Sequence, residues 1–294
     1  MASPSELKLK VPWGHISALS WGPPSAKPVL LVHGTLDNAG SFTRLVSHLP
    51  QDFHYVSIDL PSHGFSSHFP PGMFLDFFNF VVTIHYVLEE LNWKKCLYIG
   101  HSFGAQLGVM FSILSPNRLE KIIALDALFS KTFGPDELPT RTKTIFDTTI
   151  SSTQERAPSL HTQEKILETL QTGRQFALTR EAAEALFVRA TTRVGDKYRY
   201  NRDVRMRAIV ILSFNLEQLM AYMKKLVIPV LLIIPEHSWY KHWGELETLE
   251  TIKKHLSGCV TVVGVPGNHD VHNNEPEVIA PHVVGFFNDQ KSKL

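Results

Sequence analysis

The chain has 294 residues, of which 29 are Lys or Arg and 28 are Asp or Glu, so its net charge is +1. It has no dense basic run and only 19% charged residues, which argues against binding dominated by nucleic-acid phosphates or by anionic membranes. A hydrophobic fraction of 44% is typical of a globular protein. The length allows two small domains or one large α/β domain with an insertion.

Short apolar runs alternate with helix-length segments in the first part of the chain. The pattern predicts strands over residues 7–11, 16–21, 28–32, 55–58, 96–99 and 121–125, and helices over residues 39–49, 73–91 and 103–114. We expect the first two strands to form a hairpin. Continuously apolar strands that alternate with helices are typical of a mostly parallel sheet with helices on both faces.

The strand signal stops near residue 128 and returns only at residues 229–234 and 260–265. The block between contains Ser/Thr-rich turns and helical patterns at residues 163–170 and 180–189, with no convincing buried strand. Helices are predicted again at residues 243–256 and 277–287. We therefore predict one α/β core made of residues 1–128 and 226–294, with an inserted helical cap at residues 129–225.

The cysteines and the two ends of the chain predict a soluble protein in a reducing compartment. Cys96 and Cys259 are too few for a disulfide framework. The first residues contain no signal-peptide segment, and the most apolar stretch, residues 226–234, is too short to span a bilayer. The last residues, Ser292, Lys293 and Leu294, match the tripeptide that the peroxisomal import receptor reads, so we expect a peroxisomal protein that is otherwise cytoplasmic.

The strongest local signal for chemistry is Gly100-His101-Ser102-Phe103-Gly104, which follows one predicted strand and opens a predicted helix. This context favours a nucleophile elbow, in which a sharp turn presents a serine hydroxyl at the edge of the sheet. The N-terminus of the following helix leaves unpaired amides near a developing negative charge. We predict Ser102 as the nucleophile.

An oxyanion formed on attack by Ser102 needs hydrogen-bond donors. One should be the backbone amide of Phe103, and the second should come from the loop after the strand at residues 28–32, where Thr35 is the favoured donor. His33 ends that strand. We interpret His33 as a residue that organises the loop rather than as a catalytic base.

The base is expected late in the chain, because the order of the triad in this architecture is serine, acid, histidine. His269 is the first histidine beyond the last predicted strand and follows a glycine-bearing turn, whereas His272 lies nearer the final helix. We favour His269. No metal-ligand spacing is present, and the chemistry predicted for these residues needs no metal and no cofactor.

The acid has two candidates. In many proteins of this architecture an aspartate follows the strand after the cap, but Ser238 stands at that place here. Asp126 ends the strand at residues 121–125, next to the elbow strand, and Glu236 lies on the usual strand but early in its turn. Geometry favours Asp126 over Glu236, because an acid must reach the base before its pKa matters.

Several segments together resemble the serine hydrolase-like, or kraken-like, family of α/β-hydrolase fold proteins, and the resemblance covers nearly the whole chain. They are Glu6-Leu7-Lys8-Leu9, the block from His33 to Ala39, Gly64-Phe65-Ser66-Ser67-His68, the elbow, Asn201-Arg202-Asp203 and Val265-Pro266-Gly267-Asn268-His269. The resemblance implies the α/β-hydrolase fold, Ser102 as nucleophile and His269 as base, and it supports Asp126 as acid. One departure is Ser62, where the common pattern before His63-Gly64 has glycine.

The resemblance and the residues together predict a serine hydrolase that cleaves a carboxylic ester or thioester of a small-molecule acyl substrate through an acyl-enzyme. Two alternatives stay open at this point. The fold could serve as a ligand-binding protein with little hydrolysis, which the serine at position 238 suggests, or the same triad could perform lyase or acyl-transfer chemistry.

Overall fold

The fold is built around a large, mostly parallel β-sheet. The computed structural model describes residues 3–131, 133–154, 157–211, 213–256 and 258–289. Their strands are β1 (Ser5–Val11), β2 (Gly14–Trp21), β3 (Lys27–Val32), β4 (Phe53–Ile58), β5 (Cys96–His101), β6 (Leu119–Leu125), β7 (Thr191–Val194), β8 (Lys197–Tyr200), β9 (Val230–His237) and β10 (Val260–Asn268). Eight of these strands form the main sheet in the order β1-β2-β4-β3-β5-β6-β9-β10, in which β2 is antiparallel to both of its neighbours, β1 and β4, and all other pairs are parallel.

The register of the parallel strands aligns their carboxyl ends. Val32 of β3 pairs with Gly100 of β5, His101 pairs with Leu125 of β6, and Leu125 pairs with Ile233 of β9. The residues that immediately follow these strands therefore lie side by side at one edge of the sheet. In open α/β sheets this edge is where active sites form.

Helices cover both faces of the sheet, as the alternation of apolar strands and helices predicts. They are α1 (Thr43–Val46), α2 (Phe77–Glu90), α3 (Phe103–Leu114), α4 (Glu137–Ser151), α5 (Gln163–Thr172), α6 (Arg180–Ala190), α7 (Leu216–Met223), α8 (Trp239–Trp243), α9 (Leu246–His255), α10 (Val271–Asn274) and α11 (Pro276–Asn288). Alternate residues of β3 pack on opposite faces of the sheet. Leu30 and Val32 belong to the core formed with α2, α3 and α9, whereas Val29 and Leu31 belong to the core formed with α1 and α11.

The segment between β6 and β9 adds no strand to the main sheet among its described residues. It contains α4 to α7, as a helical insertion predicts, and also the antiparallel hairpin β7–β8, which the sequence did not predict. The exposed Lys197 and Arg199 alternate with the half-buried Tyr198 and Tyr200 in β8, so the hairpin lacks a buried apolar run. The insertion has its own small core, formed by Ile166, Leu167, Leu170, Leu178, Ala182, Ala183 and Leu186.

A buried ion pair attaches the insertion to the main sheet. Arg189 at the end of α6 is 1% exposed, and its guanidinium donates to the Asp59 carboxylate at 2.8 Å and to the Ser17 hydroxyl at 2.8 Å. The same carboxylate accepts from the amides of Ala39 and Phe65. Asp59 therefore joins the insertion to the loops that follow β3 and β4.

Two predicted helices have different limits in the structure. The helix predicted over residues 73–91 begins at Phe77, because the Asp76 side chain accepts from the Phe78 amide and caps it. The helix predicted over residues 243–256 begins at Leu246, because Gly244 adopts a φ of +72° and ends the preceding helix, α8, at Trp243. A left-handed glycine is a common helix terminus.

Ser62, the departure from the family pattern, occupies a position that favours glycine. Its φ is +67° and its side chain is fully buried. The Ser62 amide donates to the Ser67 carbonyl, and its hydroxyl accepts from the Phe69 amide. These bonds close the loop after Asp59 and offset the strain of a side chain in the left-handed region.

Both cysteines are free thiols, and burial raises the pKa of Cys96 to about 12. None of the described helices has the length and apolar character needed to cross a membrane. The tripeptide Ser292, Lys293 and Leu294 lies outside the described residues. Peroxisomal import therefore stays a prediction.

Candidate active site

Ser102 lies at a sharp turn between β5 and α3, as the elbow pattern predicts. Its backbone has φ +51° and ψ −116°, a conformation that L-residues rarely adopt. The turn requires glycine on both sides: a Cβ on Gly100 would lie 2.5 Å from the Ala105 amide nitrogen, and one on Gly104 would lie 2.1 Å from the Val32 carbonyl oxygen. The close packing therefore holds Ser102 in its strained backbone conformation.

His269 follows β10 directly and contacts the carboxylate of Asp126. Its Nδ1 donates to Asp126 Oδ2 at 2.7 Å, and both side chains are buried. Asp126 has a φ of +51° at the end of β6, and its amide donates to the Ile233 carbonyl of β9. The Glu236 side chain is exposed, so the structure brings Asp126, and not Glu236, to the histidine.

Two residues after β9 hold the Asp126 carboxylate in place. The Ser238 hydroxyl donates to Oδ1, and the Trp239 amide donates to Oδ2 at 3.0 Å. With His269, three donors converge on one carboxylate. Ser238 thus stands where an aspartate is usual and donates to a carboxylate that the neighbouring strand supplies.

Burial affects the pKa of both members of this pair. It raises the pKa of Asp126 to about 7, while the hydrogen bonds from Ser238 and Trp239 oppose the shift. It lowers the pKa of His269 well below the usual value, and the positive charge of Arg174 acts in the same direction. Burial therefore favours the neutral imidazole of His269. In the tautomer whose proton lies on Nδ1, facing Asp126, Nε2 is free to act as a general base.

The two predicted oxyanion donors lie on the same cavity as Ser102. Phe103 is the first residue of α3, where a backbone amide has no partner inside the helix. Thr35 lies in the loop after β3, and its amide makes no hydrogen bond to any residue that the structure describes. Both residues line the cavity, so both amides are free to donate hydrogen bonds to a developing oxyanion.

The loop that carries Thr35 is braced by two neutral histidines. His33 donates through Nδ1 to the Gly34 carbonyl and accepts from the Leu60 amide, while His63 accepts from the Leu36 amide. Burial lowers the pKa of His33 to about 4 and that of His63 to about 3. These contacts agree with the interpretation of His33 as a residue that organises the loop.

A cavity of about 510 Å³ opens in front of Ser102 and His269. Its wall combines the edge of the sheet with α8 and with the insertion. The apolar part of the lining is formed by Leu36, Leu170, Phe176, Ile211, Trp239 and Trp243. The rings of Phe176 and Trp239 lie 5.8 Å and 5.3 Å from the ring of His269. The space matches the size of a small-molecule site.

Comparison with known proteins now identifies the family. A family model described as the alpha/beta hydrolase fold matches residues 27–267. Serine hydrolase-like protein 2 from Homo sapiens is 37% identical over an alignment of 295 positions, which covers 96% of this chain and 94% of that protein. The chain belongs to the serine hydrolase-like family. The family and the fold expected from the sequence are both confirmed.

Solved structures agree with the family assignment. The hypothetical protein PA1622 from Pseudomonas aeruginosa PAO1 has a TM-score of 0.85 and 26% identity, with 97% of this chain and 99% of that chain covered. A thioesterase domain from the curacin biosynthetic pathway has a TM-score of 0.79 over 96% of this chain and all of the other, at 20% identity. The second likeness shows the fold alone. Together with the serine hydrolase-like relatives, the matches support a hydrolase.

In this family member the structure separates the two histidines that the sequence left as candidates for the base. His269 lines the cavity and contacts Asp126. His272 lies within α10, fully buried, with its ring 4.0 Å from the ring of His101 and outside the cavity lining. Of these two histidines, His269 is therefore the one that contacts Asp126 and faces the cavity, and its role as base stays a prediction.

A charged network beside His269 was not predicted from the sequence. Arg174 of the insertion donates to Asp37 at 3.0 Å and to Asp270 at 2.8 Å. The neighbouring His101 donates through Nε2 to the His269 carbonyl, and burial lowers its pKa to about 3. Atoms of Asp37, His101 and Asp270 lie within 4.8 Å of one another. The Arg174 guanidinium already binds one oxygen of each carboxylate. We therefore interpret the cluster as an ion-pair network that stabilises the loop of His269.

The insertion also supplies cavity residues to which the sequence gave no role. Arg202 and Arg207 lie between the hairpin β7–β8 and α7, and both line the cavity. Arg202 belongs to the segment Asn201-Arg202-Asp203 that carries part of the family resemblance. Nothing in the spacing of these residues indicates that they approach Ser102, which is about a hundred residues earlier in the chain.

Proposed function

We propose that this chain is a serine hydrolase that cleaves carboxylic esters or thioesters of a small or lipid-like acyl group. The observation that carries the proposal is the 2.7 Å contact between His269 and Asp126 at the cavity that Ser102 also lines. A nucleophile on a strained turn, a neutral histidine and a buried carboxylate are the parts that acyl transfer through a serine requires.

In the first half of the proposed reaction, Ser102 Oγ attacks the acyl carbon and its proton passes to His269 Nε2. The tetrahedral oxyanion accepts hydrogen bonds from the amides of Thr35 and Phe103. Its collapse breaks the bond to the alcohol or thiol, which leaves with the proton from His269. Asp126 accepts from Nδ1 throughout and stabilises the transient imidazolium.

In the second half, a water molecule gives its proton to His269 and attacks the acyl-enzyme. Collapse of the second tetrahedral species releases the carboxylic acid and returns the proton to Ser102. No hydrogen bond among the described residues joins the Ser102 hydroxyl to His269. Catalytic hydrogen bonds of this type often form only when substrate is bound.

The proposal is tested by labelling with a fluorophosphonate, which reacts with activated serines. We expect stoichiometric labelling of the wild type, none of Ser102→Ala, and a loss of short-chain ester turnover in that variant of roughly 10⁴-fold or more. The matched control is Ser115→Ala at the other end of α3, whose labelling and turnover should be unchanged. Absence of labelling in folded wild type, or turnover that survives in Ser102→Ala, would contradict the proposal.

The binding-protein alternative rested in part on serine at position 238. The Ser238 contact with Asp126 weakens this reason, because Asp126 at the end of β6 offers a carboxylate and Ser238 donates to it. The unknown specificity of the cap pocket, the other reason for this alternative, is left to the labelling test. An acyltransferase or lyase would use the same nucleophile and would also be labelled. Identification of the products formed with water as the acceptor distinguishes these reactions from hydrolysis.

A further inference from the structure

The active-site cavity carries an excess of positive charge. Three arginines line it, Arg174, Arg202 and Arg207, together with the carboxylates of Asp37 and Asp270. Arg174 forms ion pairs with both carboxylates. Among the residues that the structure describes, Arg202 and Arg207 have no carboxylate within 4.0 Å. Neither Arg202 nor Arg207 therefore forms an ion pair with a described residue, and the cavity has one more guanidinium than carboxylates.

The environment of Arg202 makes its charge costly. The side chain is half-buried, and its guanidinium carbon lies 4.7 Å from the centre of the Tyr200 ring. Burial lowers the pKa of Arg202, and the like charges of Arg207 and Arg174 act in the same direction, while Tyr200 and Asp37 oppose the shift. A guanidinium stays protonated in proteins. Arg207 is exposed, so the cost of burial falls on Arg202. An anion that lies between these two cations and the active site stabilises both of them.

The backbone between Arg202 and Arg207 is fixed by a third arginine, Arg205, whose side chain binds groups of the protein and does not face the cavity. Arg205 is 2% exposed and pairs with Asp203 at 2.6 Å. It also donates to the carbonyls of Phe69, Pro70 and Met73. The chain thus contains, within six residues, one arginine saturated by protein acceptors and two that point to the cavity. Their arrangement is held in place before any ligand binds, which favours recognition of a defined group.

We propose that Arg202 and Arg207 form a subsite for an anionic group on the acyl substrate, a carboxylate or a phosphate. The inference rests on the proposed function, because it places the scissile carbonyl between Ser102 and the amides of Thr35 and Phe103. The apolar wall formed by Phe176, Trp239 and Trp243 accepts the carbon chain. The preferred substrates are ester or thioester compounds with a charged end, and neutral esters of equal length are poorer ligands.

The test measures binding, so that it does not depend on turnover. Monoethyl esters of dicarboxylic acids with four to eight carbons are titrated calorimetrically against Ser102→Ala protein, beside the isosteric amides in which the free carboxylate is replaced by a carboxamide. Ethyl esters of ω-phosphonooxy acids form a second series that distinguishes phosphate from carboxylate. We expect the best charged ligand to bind roughly 10-fold to 100-fold more tightly than its neutral partner.

Variants then assign this preference to the two arginines. In the Ser102→Ala background, Arg202→Gln and Arg207→Gln should each weaken the charged ligand by about 10-fold or more and leave the neutral one within about 3-fold. Arg199→Gln is the matched control, since that arginine is exposed on β8 and lies outside the cavity lining. Thermal unfolding checks that all variants are folded.

Charged and neutral ligands that bind equally, no binding of any charged ligand, or a preference that survives in the Arg202→Gln/Arg207→Gln double variant would overturn the subsite. Fluorophosphonate labelling of the protein with Ser102 intact is recorded in parallel. Its failure would refute the hydrolase proposal while the binding results still decide whether the subsite exists.

Discussion

The ends of β6 and β9 lie side by side, and they divide one task between them. Asp126 after β6 provides the carboxylate that contacts His269, whereas Ser238 after β9 provides a hydroxyl that contacts Asp126. In such a site, the carboxylate that can serve as the acid is the one that contacts the histidine, whichever strand it follows in the sequence. Two neighbouring strand ends are close enough for either to supply the carboxylate.

The largest expected effect comes from neutralising the residue after β6. Asp126→Asn should lower kcat/KM for a short-chain ester by roughly 10³-fold to 10⁴-fold, because an amide does not stabilise the imidazolium or fix the tautomer of His269. Glu236→Gln should stay within about 2-fold of wild type, since that side chain is exposed. A collapse of activity in the second variant alone would reverse the assignment of the acid.

An intermediate effect is expected when the acid is moved to the other strand. Ser238→Asp added to Asp126→Asn should recover on the order of 10-fold to 100-fold of the lost kcat/KM, a gain of about 1.4 to 2.7 kcal/mol in transition-state stabilisation. Asparagine suits position 126 because it tolerates the positive φ there. If the double variant folds and is no more active than Asp126→Asn, the two strand ends are not interchangeable.

The smallest expected effect concerns the hydroxyl of Ser238. Its hydrogen bond lowers the pKa of Asp126, so Ser238→Ala should raise that pKa, and activity should then be lost at a higher pH as the pH falls. We expect the acid limb of the profile of kcat/KM against pH to move up by about 0.5 to 1 unit, with a plateau within about 10-fold of wild type.

Ser238→Thr provides the matched control for this shift, because it keeps the hydroxyl. Its acid limb should stay near that of the wild type. An unchanged limb in Ser238→Ala would show that the hydroxyl has a packing role only.

The sequence predicted the parts of the site that follow from strand order. Apolar runs identified β3, β5 and β6, and each is followed directly by a site residue or loop: Thr35, Ser102 and Asp126. The sequence favoured Asp126 over Glu236 from its place next to the elbow strand, but the distance to His269 depends on the register, because pairing of Leu125 with Ile233 sets which side chain turns inward. Local sequence carries no information about that pairing.

The insertion was harder to predict, for a different physical reason. The hairpin β7–β8 is short and half-exposed, so it lacks the buried alternation that identifies a strand. The arginines Arg174, Arg202 and Arg207 reach the cavity only through long-range packing. A single arginine in a sequence looks the same whether it is solvated, ion-paired or aimed at a ligand.

The Arg189–Asp59 ion pair limits how the insertion can be exchanged for that of a relative to change the specificity of this enzyme. A chimera that exchanges the insertion for that of a relative would leave Asp59 without its cation unless the donor segment supplies a guanidinium at the end of the corresponding helix. Removing one partner of a buried pair typically costs about 3 to 5 kcal/mol. A successful exchange should therefore splice outside residues 180–190, or carry the arginine with it.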